Sequence, residues 1–450
     1  LLGSAPIPKA LLALGIPTMI GMLINALYNL VDTYFVGGLG TDQMGAVTVA
    51  FPLGQIVVGL GLLFGNGAAA YLSRLLGRGD KDTANKVAST AIYSGVSIGA
   101  IVILFSIIFL EPILKQAGAI ESVIPYAVTY SRIYIVFSIF NVFNVTMNNI
   151  VSSEGAAKTA MCALMAGAVL NVILDPVFIY ALNLGVVGAA IATAISQVIS
   201  TLVYLCYILR KKSVFNFSIK ECCFAKEIIS EILKIGIPTL IFQLLTSLSI
   251  GMINSAAKEY GGSALAAMGP VTKIMSMGTL IVFGFLKGFQ PIAGFSYGAK
   301  KFDRLREAIR TAVLWSTIFC VIFGFVAAVF STQIVSLFTK EDAEMVRIGS
   351  IALRGNGLSF VLFGFYTVYS FLFLVMGKAA EGCVLGACRQ GICFVPVILI
   401  LPLVLGLSGV LYAQPIADVI SAIVTALMAV RLHRELRTAE NHISTLPQEH

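Results

Sequence analysis

Long runs of apolar residues, separated by short polar and glycine-rich segments, make up most of the chain. Each run covers about 20 residues or more, the length that a helix needs to cross the hydrocarbon core of a bilayer. The runs lack the alternation over about 10 residues that a membrane-spanning β-strand requires. The pattern predicts an all-α polytopic membrane protein with twelve transmembrane helices, near residues 10–36, 45–72, 87–110, 123–150, 159–182, 186–209, 232–256, 264–297, 308–330, 345–376, 382–404 and 408–431.

The composition supports this prediction. Of the 450 residues, 58% are hydrophobic and only 12% are charged, which is about half the charged share of soluble domains. The three histidines (His433, His442 and His450) all lie near the C-terminus. A histidine-ligated metal centre or histidine acid–base chemistry inside the membrane body is therefore excluded. The eight cysteines show no metal-ligand spacing, and we interpret them as reduced thiols.

Lysine and arginine are distributed unevenly between the predicted loops. If the N-terminus is cytoplasmic, that side collects 22 of the 30 basic residues, Arg389 among them, and the other side holds Lys115, Lys258, Lys340 and Arg347. Because basic loops stay on the cytoplasmic side, the sequence predicts a multi-pass protein of the plasma membrane with both termini in the cytoplasm. The net charge of +8 then indicates topology and a preference for anionic lipid, and nucleic acid is not an expected partner.

The sequence repeats itself at an offset of 221 to 224 residues. A Gly-Ile-Pro-Thr motif at 15–18 recurs at 236–239, and Gly77 matches Gly298. The repeat predicts an N-terminal six-helix bundle at 1–209, a cytoplasmic linker at 210–231, a C-terminal six-helix bundle at 232–432 and a cytoplasmic tail at 433–450. Because six is even, the two bundles should be related by a pseudo-twofold axis along the membrane normal. This arrangement favours an alternating-access transporter over a duplicated channel or membrane enzyme.

Several motifs, in order and spacing, resemble the multidrug and toxic compound extrusion (MATE) family, closest to its MepA-like bacterial branch, over about residues 9 to 432. They are the Gly-Ile-Pro-Thr motif at 15–18, Asp32-Thr33 followed by Gly37-Gly38-Leu39-Gly40, Asn171-Val172-Ile173-Leu174-Asp175-Pro176 followed by Gly185-Val186-Val187-Gly188-Ala189-Ala190, and Gln290-Pro291 with Gly294 and Tyr297-Gly298-Ala299. The resemblance implies export of organic cations, such as drugs and dyes, in exchange for H⁺ or Na⁺. It implies antibiotic resistance as a consequence.

Two acids, Asp32 and Asp175, lie at membrane depth in the first half only. Their partners in the repeat are Ala256 and Pro396, so the fold itself does not require either carboxylate. Counted along their helices, both come out at about the same depth in the outer half of the N-terminal bundle. Buried ionisable groups in a membrane are usually functional, although either acid could instead make a purely structural hydrogen bond.

Neutral oxygen ligands accompany the two acids. Asn171 lies one turn before Asp175, and Thr193 reaches a similar depth. Two carboxylates with amide and hydroxyl groups suit a shared proton or a dehydrated sodium ion. The family resemblance implies that these same residues, Asp32, Asp175, Asn171 and Thr193, are the cation-coupling positions, which act as metal ligands only if the ion is Na⁺. Pro176 should kink the helix beside Asp175.

Other polar residues are weaker candidates. Tyr28 and Asn25 fall on the same helical face as Asp32, and Asn144 belongs to a polar stripe; we predict that all three contact substrate. Lys287 and Asp418 are the corresponding candidates in the second half, where Lys287 either repels cations or is neutralised by Asp418. Glu154 is expected in a solvated turn.

We therefore expect a secondary active multidrug efflux transporter that couples H⁺ or Na⁺ to antiport of organic cations. We expect a monomer that is not an enzyme and needs no cofactor. A flippase for lipid-linked precursors is the alternative, but its cleft should be strongly cationic, which the two acids oppose. A polytopic membrane enzyme is less favoured because it would need several acids within a turn or two of each other at one site, whereas the acidic groups Asp80/Asp82 and Glu341/Asp342/Glu344 lie in loops far apart.

Overall fold

The structure, a computed structural model, describes residues 1–117, 119, 121–337 and 342–444. Lys340, His450 and the end of the predicted tail lie outside the described residues. Within them the chain is helical, without a β-strand. The α-helices are α1 (Ile7–Gly37), α2 (Thr41–Arg78), α3 (Lys81–Ile108), α4 (Leu110–Gln116), α5 (Ile124–Ser153), α6 (Ala157–Pro176), α7 (Val186–Leu209), α8 (Lys226–Lys258), α9 (Gly262–Gly298), α10 (Phe302–Val329), α11 (Ser331–Ser336), α12 (Ala343–Phe360), α13 (Phe363–Val375), α14 (Ala379–Ala387), α15 (Phe394–Leu405) and α16 (Leu407–Ser444). Val177–Ala181 and Cys388–Ile392 are π-helical, and Ile219–Glu221 is a 3₁₀ turn.

The number of spans agrees with the prediction. Among the described residues, eleven helical segments are long and apolar enough to cross a membrane, and α12 with α13 forms a twelfth span that is bent by 53°. The predicted continuous helix at 345–376 is thus broken. On each side of the break a glycine, Gly357 or Gly364, approaches the backbone of α10 so closely that a methyl group would overlap it. The bend lets both parts of the span pack against that one helix.

The repeated Gly-Ile-Pro-Thr motifs lie where the two halves of the chain meet. In the first copy, the hydroxyl of Thr18 in α1 donates to the carbonyl of Gly284 in α9, at 2.5 Å. In the second copy, Thr239 in α8 accepts a hydrogen bond from Asn66 in α2, at 2.9 Å. Because α1 packs on α9 as α8 packs on α2, the contacts follow the pseudo-twofold relation that the repeat predicts.

Both ends of the chain lie at one end of the bundle, which we call the terminal end. Arg304, at the start of α10, donates to the carbonyls of Leu2 and Ala5, and Arg306 forms an ion pair with Glu440 in α16.

The two halves are closed at the terminal end and apart at the opposite end. Arg74, near the end of α2, pairs with Glu231 near the start of α8 at 3.0 Å, and a methyl group on Gly298 of α9 would overlap the carbonyl of Arg74. Toward the opposite end, a methyl group on Gly251 of α8 or Gly269 of α9 would meet no neighbouring atom within 4 Å. We interpret this difference in packing as a cleft between the halves that opens away from the termini.

Candidate functional site

The structure brings Asp32 and Asp175 together. Asp32 lies five residues before the end of α1 (Gly37), and Asp175 is the penultimate residue of α6 (Pro176). Their carboxyl groups are within hydrogen-bonding reach of each other. Asp175 is fully buried, and both of its carboxyl oxygens, with Oδ1 of Asp32, lack any other hydrogen-bond partner. Two carboxylates cannot both stay negative at such separation without compensation, so the pair is suited to hold a positive ion between them.

Asn171 and Thr193 complete this group. The amide of Asn171 donates to the hydroxyl of Thr193 at 3.3 Å, across the α6–α7 contact. Its carbonyl oxygen is buried without a partner. Among the described residues, no set of three or more His, Cys, Asp or Glu side chains could hold a metal ion. A cation bound here would depend on two carboxylates and neutral oxygens, a set of ligands that suits a proton or a hard ion such as Na⁺.

The helix changes type beside Asp175. The α-helical hydrogen bonding of α6 ends at Pro176, and a π-helical segment begins at Val177. Proline supplies no N–H for the ladder, which explains the loss of regular bonding at this place. π-helical segments in membrane helices are frequent at functional sites. The backbone hydrogen bonding therefore changes from the α-helical to the π-helical pattern next to the carboxyl pair.

Two tyrosines of α5 belong to the same site, and the sequence reasoning missed them. The rings of Tyr130 and Tyr134 stack with centroids 5.7 Å apart. Both phenol groups, and that of Tyr28 in α1, lie within range of an electrostatic interaction with the carboxyl group of Asp32. Tyr134 fits because Gly54 of α2 has no side chain: a methyl group there would lie 2.5 Å from the tyrosine hydroxyl. The four-residue spacing of the two tyrosines was the only sequence signal.

A small cavity shares Tyr28, Tyr134 and Thr193 with this site, although neither carboxyl group lines it. Its volume is about 40 Å³, and its polar lining comes from Tyr28, Tyr134, Asn141, Thr193 and Gln197. A polar cavity of this size accommodates a water molecule or a small ion. Drug-sized ligands occupy pockets of roughly 300–1,000 Å³. The cavity is therefore large enough for a water molecule or a small ion but not for a drug-sized ligand.

The remaining candidates of the first half differ in their contacts. Tyr28 lines the cavity. Asn25 is half-buried, and its carbonyl accepts a hydrogen bond from Asn29. Asn144 is buried, donates to Gln197 at 2.9 Å and accepts from Thr201 at 2.8 Å. These bonds join α5 to α7, which is the arrangement of polar residues that hold membrane helices together. The amide nitrogen and oxygen of Asn144 are therefore both engaged, and neither is free for the predicted contact with substrate.

Asp418 is paired with Arg389, which excludes one of the two alternatives left open for Lys287 and corrects the placement of Arg389 on the cytoplasmic side. Nε of Arg389 lies 2.8 Å from Asp418, which also accepts from Ser359 and Gln414. Asp418 does not neutralise Lys287. Arg389 is not a loop residue, because it lies in the π-helical segment within the span at 379–405, 4.7 Å above the ring of Phe363.

The side chain of Lys287 forms a hydrogen bond from the second half to the first. Its ammonium group donates to Oδ1 of Asn148 at 3.0 Å, and the amide of Asn148 donates to Tyr204 at 3.0 Å. This chain of bonds joins α9 to α5 and α7. Lys287 therefore contributes to the contact that closes the two halves.

Glu154 is not in a solvated turn, which corrects the sequence-based expectation. It follows α5 and accepts hydrogen bonds from the hydroxyl of Tyr207 at 2.5 Å, the hydroxyl of Ser213 at 2.9 Å and the backbone N–H of Val214 at 2.9 Å. Burial raises the pKa of its carboxyl group, and these hydrogen bonds partly oppose the rise. Glu154 ties the turn after α5 to the segment that follows α7.

Two pseudo-symmetric helical bundles around a one-sided cleft, with a carboxyl pair in one bundle only, define a polytopic membrane transporter. The profile of the MatE family matches residues 17–177 and 238–400. The two matched segments begin at Pro17 and Pro238, equivalent positions of the repeated motif. The multidrug export protein MepA of Staphylococcus aureus (strain MSSA476) is 30% identical over 437 residues, which cover 97% of this chain and 96% of that protein. MepA of Staphylococcus saprophyticus is 30% identical over 435 residues, covering 96% of this chain and 95% of that protein.

A solved structure, described as the outward-facing conformation of a multidrug resistance MATE family transporter of the MOP superfamily, matches with a TM-score of 0.91. It is 28% identical and covers 96% of this chain and 97% of its own. The chain belongs to the MatE family. The predicted fold class and the resemblance to the MepA-like branch are confirmed.

Proposed function

We propose that this chain exports organic cations from the cell in exchange for H⁺ or Na⁺, by alternating access. The observation that carries the proposal is the carboxyl pair of the half-buried Asp32 and the fully buried Asp175, in which Oδ1 of Asp32 and both oxygens of Asp175 have no other hydrogen-bond partner. Asn171 and Thr193 complete the cation-coupling site. In the second half, the buried acid Asp418 already has a cationic partner, Arg389. The asymmetry leaves only the first half with acids free to exchange one cation for another.

The coupling follows from charge. With no cation bound, two adjacent negative carboxylates are unfavourable, and a proton or Na⁺ relieves the repulsion. An organic cation in the cleft competes for the same negative field. If the drug and the coupling ion favour opposite conformations, the difference in affinity between the outward-open and inward-open states couples their movements. In this proposal Tyr28 and Asn25 contact the substrate beside the carboxyl pair. Lys287 holds the two halves together through its hydrogen bond to Asn148.

We place the terminal end in the cytoplasm of a plasma-membrane protein, from the excess of basic residues there. The cleft then opens to the outside. Residues 1–209 and 232–432 are the two moving bundles, with 210–231 as their cytoplasmic linker and 433–450 as a cytoplasmic tail. We expect a monomer that transports substrates unchanged, without a cofactor.

Ethidium transport in inverted membrane vesicles tests the proposal, with a pH gradient or a Na⁺ gradient imposed separately. We expect Asp32→Asn and Asp175→Asn each to reduce gradient-driven transport by at least about tenfold, because neutral side chains leave no charge to exchange. Asp303→Asn is the matched control, since that side chain is 90% exposed at the terminal end. The proposal fails if both neutralised variants transport as fast as the wild type under either gradient.

A further inference from the structure

A second concave site lies outside the cleft, on the surface between α6 and α7. It is a groove of about 470 Å³, within the roughly 300–1,000 Å³ of ordinary ligand sites. One wall is the face of α7 that carries Ile199, Leu202, Val203 and Cys206, and the facing wall includes Cys162 of α6. Both cysteines and Leu202 are exposed. Because these walls lie within two membrane spans, the groove faces the hydrocarbon of the bilayer.

Three cations line the end of this groove that lies toward the terminal end. Lys158 is in the first turn of α6, and Arg210 and Lys212 follow α7 directly. All three are exposed. Across the described ranges, none of them forms an ion pair with a carboxylate. Glu154, the acid beside this wall, is already held by Tyr207.

We propose that the groove is a binding site for one anionic phospholipid. An acyl chain fills the apolar groove, and the negatively charged headgroup lies against Lys158, Arg210 and Lys212. Basic pockets between membrane helices on the cytoplasmic side have the chemistry to bind acidic headgroups. The transport cycle proposed above has no task for these three cations, which lie outside the cleft. The lipid would bridge α6 and α7, the two helices that carry Asp175 and Thr193.

Tryptophan quenching by brominated lipids tests this site in nanodiscs. The single tryptophan, Trp315, is replaced by Phe, and Leu202→Trp places a probe in the groove. We expect brominated phosphatidylglycerol to bind at this probe about threefold to tenfold more tightly than brominated phosphatidylcholine. A preference of this size is expected because the three cations are partly solvated, which weakens their attraction to the headgroup. A probe at Leu427, which is 70% exposed on α16, should show no such preference.

The headgroup contact is tested by neutralising the three cations. In Lys158→Gln/Arg210→Gln/Lys212→Gln the preference at the Leu202→Trp probe should fall to about one. The control Lys220→Gln/Lys226→Gln/Arg434→Gln removes the same charge from exposed positions elsewhere and should keep the preference. If the triple variant is not monodisperse, Arg210→Gln alone should lower the preference about twofold. Two results would overturn the site. One is equal binding of both lipids at the Leu202→Trp probe when all three cations are present, and the other is a preference that remains after the three cations are neutralised.

Discussion

Asp175 and Glu154 are two buried acids in opposite hydrogen-bonding situations. Glu154 accepts hydrogen bonds from Tyr207, Ser213 and Val214, whereas the oxygens of Asp175 have no partner apart from Asp32. A satisfied buried acid stabilises structure, and an unsatisfied one is available for a ligand. The two residues should therefore respond differently to substitution.

Glu154→Ala should destabilise the protein while leaving the coupling chemistry in place. Removing the acceptor takes away the hydrogen-bond partner of the half-buried Tyr207 hydroxyl and of the Val214 N–H, at a cost of about 1–2 kcal/mol. We expect the apparent Tm in detergent to fall by several degrees. Glu154→Gln is the control, because its amide oxygen still accepts and the variant should unfold near the wild-type temperature.

The raised pKa of Glu154 adds a pH dependence. Because the pKa in the folded state lies above the ordinary value, the stability contribution of the neutral acid is fully present below that ordinary value and is lost as the pH rises through the folded value. The apparent Tm of the wild type should therefore fall relative to that of Glu154→Gln as the pH rises above the ordinary pKa of 4.5. A constant difference across the titration would contradict the assignment.

Sequence reasoning located some of the site residues but not all. The proximity of Asp32 and Asp175 was predictable because both lie at about the same depth in their helices and because the second half has no acid at either equivalent position. Tyr130 and Tyr134 were missed because tyrosine is ordinary in membrane helices. Arg389 was missed because it was counted with the basic residues of the cytoplasmic side, although it falls inside the predicted span at 382–404. Its partner Asp418 is too far along the chain to appear in any local pattern.

At the scale of elements, hydropathy predicts that a span exists but not how it is interrupted. Twelve spans were predictable because each must supply about 20 apolar residues. The bend between α12 and α13 and the π-helical segment at Cys388–Ile392 were not, since they change backbone hydrogen bonding without changing apolar content. Pro176 predicted a disturbance beside Asp175, but not that it would take the form of a π-helical segment. Helix interruptions in membranes persist where neighbouring groups satisfy the backbone.

The pair of Arg389 and Asp418 fixes the interruption at Cys388–Ile392 against α16. Removing one partner of a buried ion pair leaves an uncompensated charge, which costs about 3–5 kcal/mol. We expect Asp418→Ala to lower the apparent Tm strongly and Arg389→Met/Asp418→Ala to recover most of the loss. A double variant as unstable as the sum of both single variants would show that the two residues act independently.

Across the whole molecule, the repeated motif marks the interface between the two halves. The Gly-Ile-Pro-Thr motifs, visible in the sequence as a duplication, pack the halves together through Thr18 and Thr239. Which end is closed was not predictable, because both conformations of an alternating-access transporter use the same sequence. The pairs Arg74–Glu231 and Lys287–Asn148 close the terminal end here and must separate for the cleft to open there.

A cross-link between the halves should therefore stop transport. In a cysteine-free background, Asn66→Cys and Thr239→Cys replace side chains that lie 2.9 Å apart across the interface. We expect a short thiol cross-linker to abolish ethidium efflux and a reductant to restore it. Cross-linking Asp42→Cys to Ser122→Cys, a pair 3.2 Å apart within the first half, should leave efflux unchanged. Continued efflux with the halves joined would rule out the opening.

The central claim is that Asp175 couples drug movement to a cation rather than merely binding drug. Ethidium counterflow and gradient-driven efflux, measured on the same proteoliposomes of Asp175→Asn, separate the two roles. Counterflow exchanges drug for drug and needs no change in the charge of the pair. We expect gradient-driven efflux to fall to background while counterflow persists. Gradient-driven efflux at the wild-type rate in this variant would contradict the central claim.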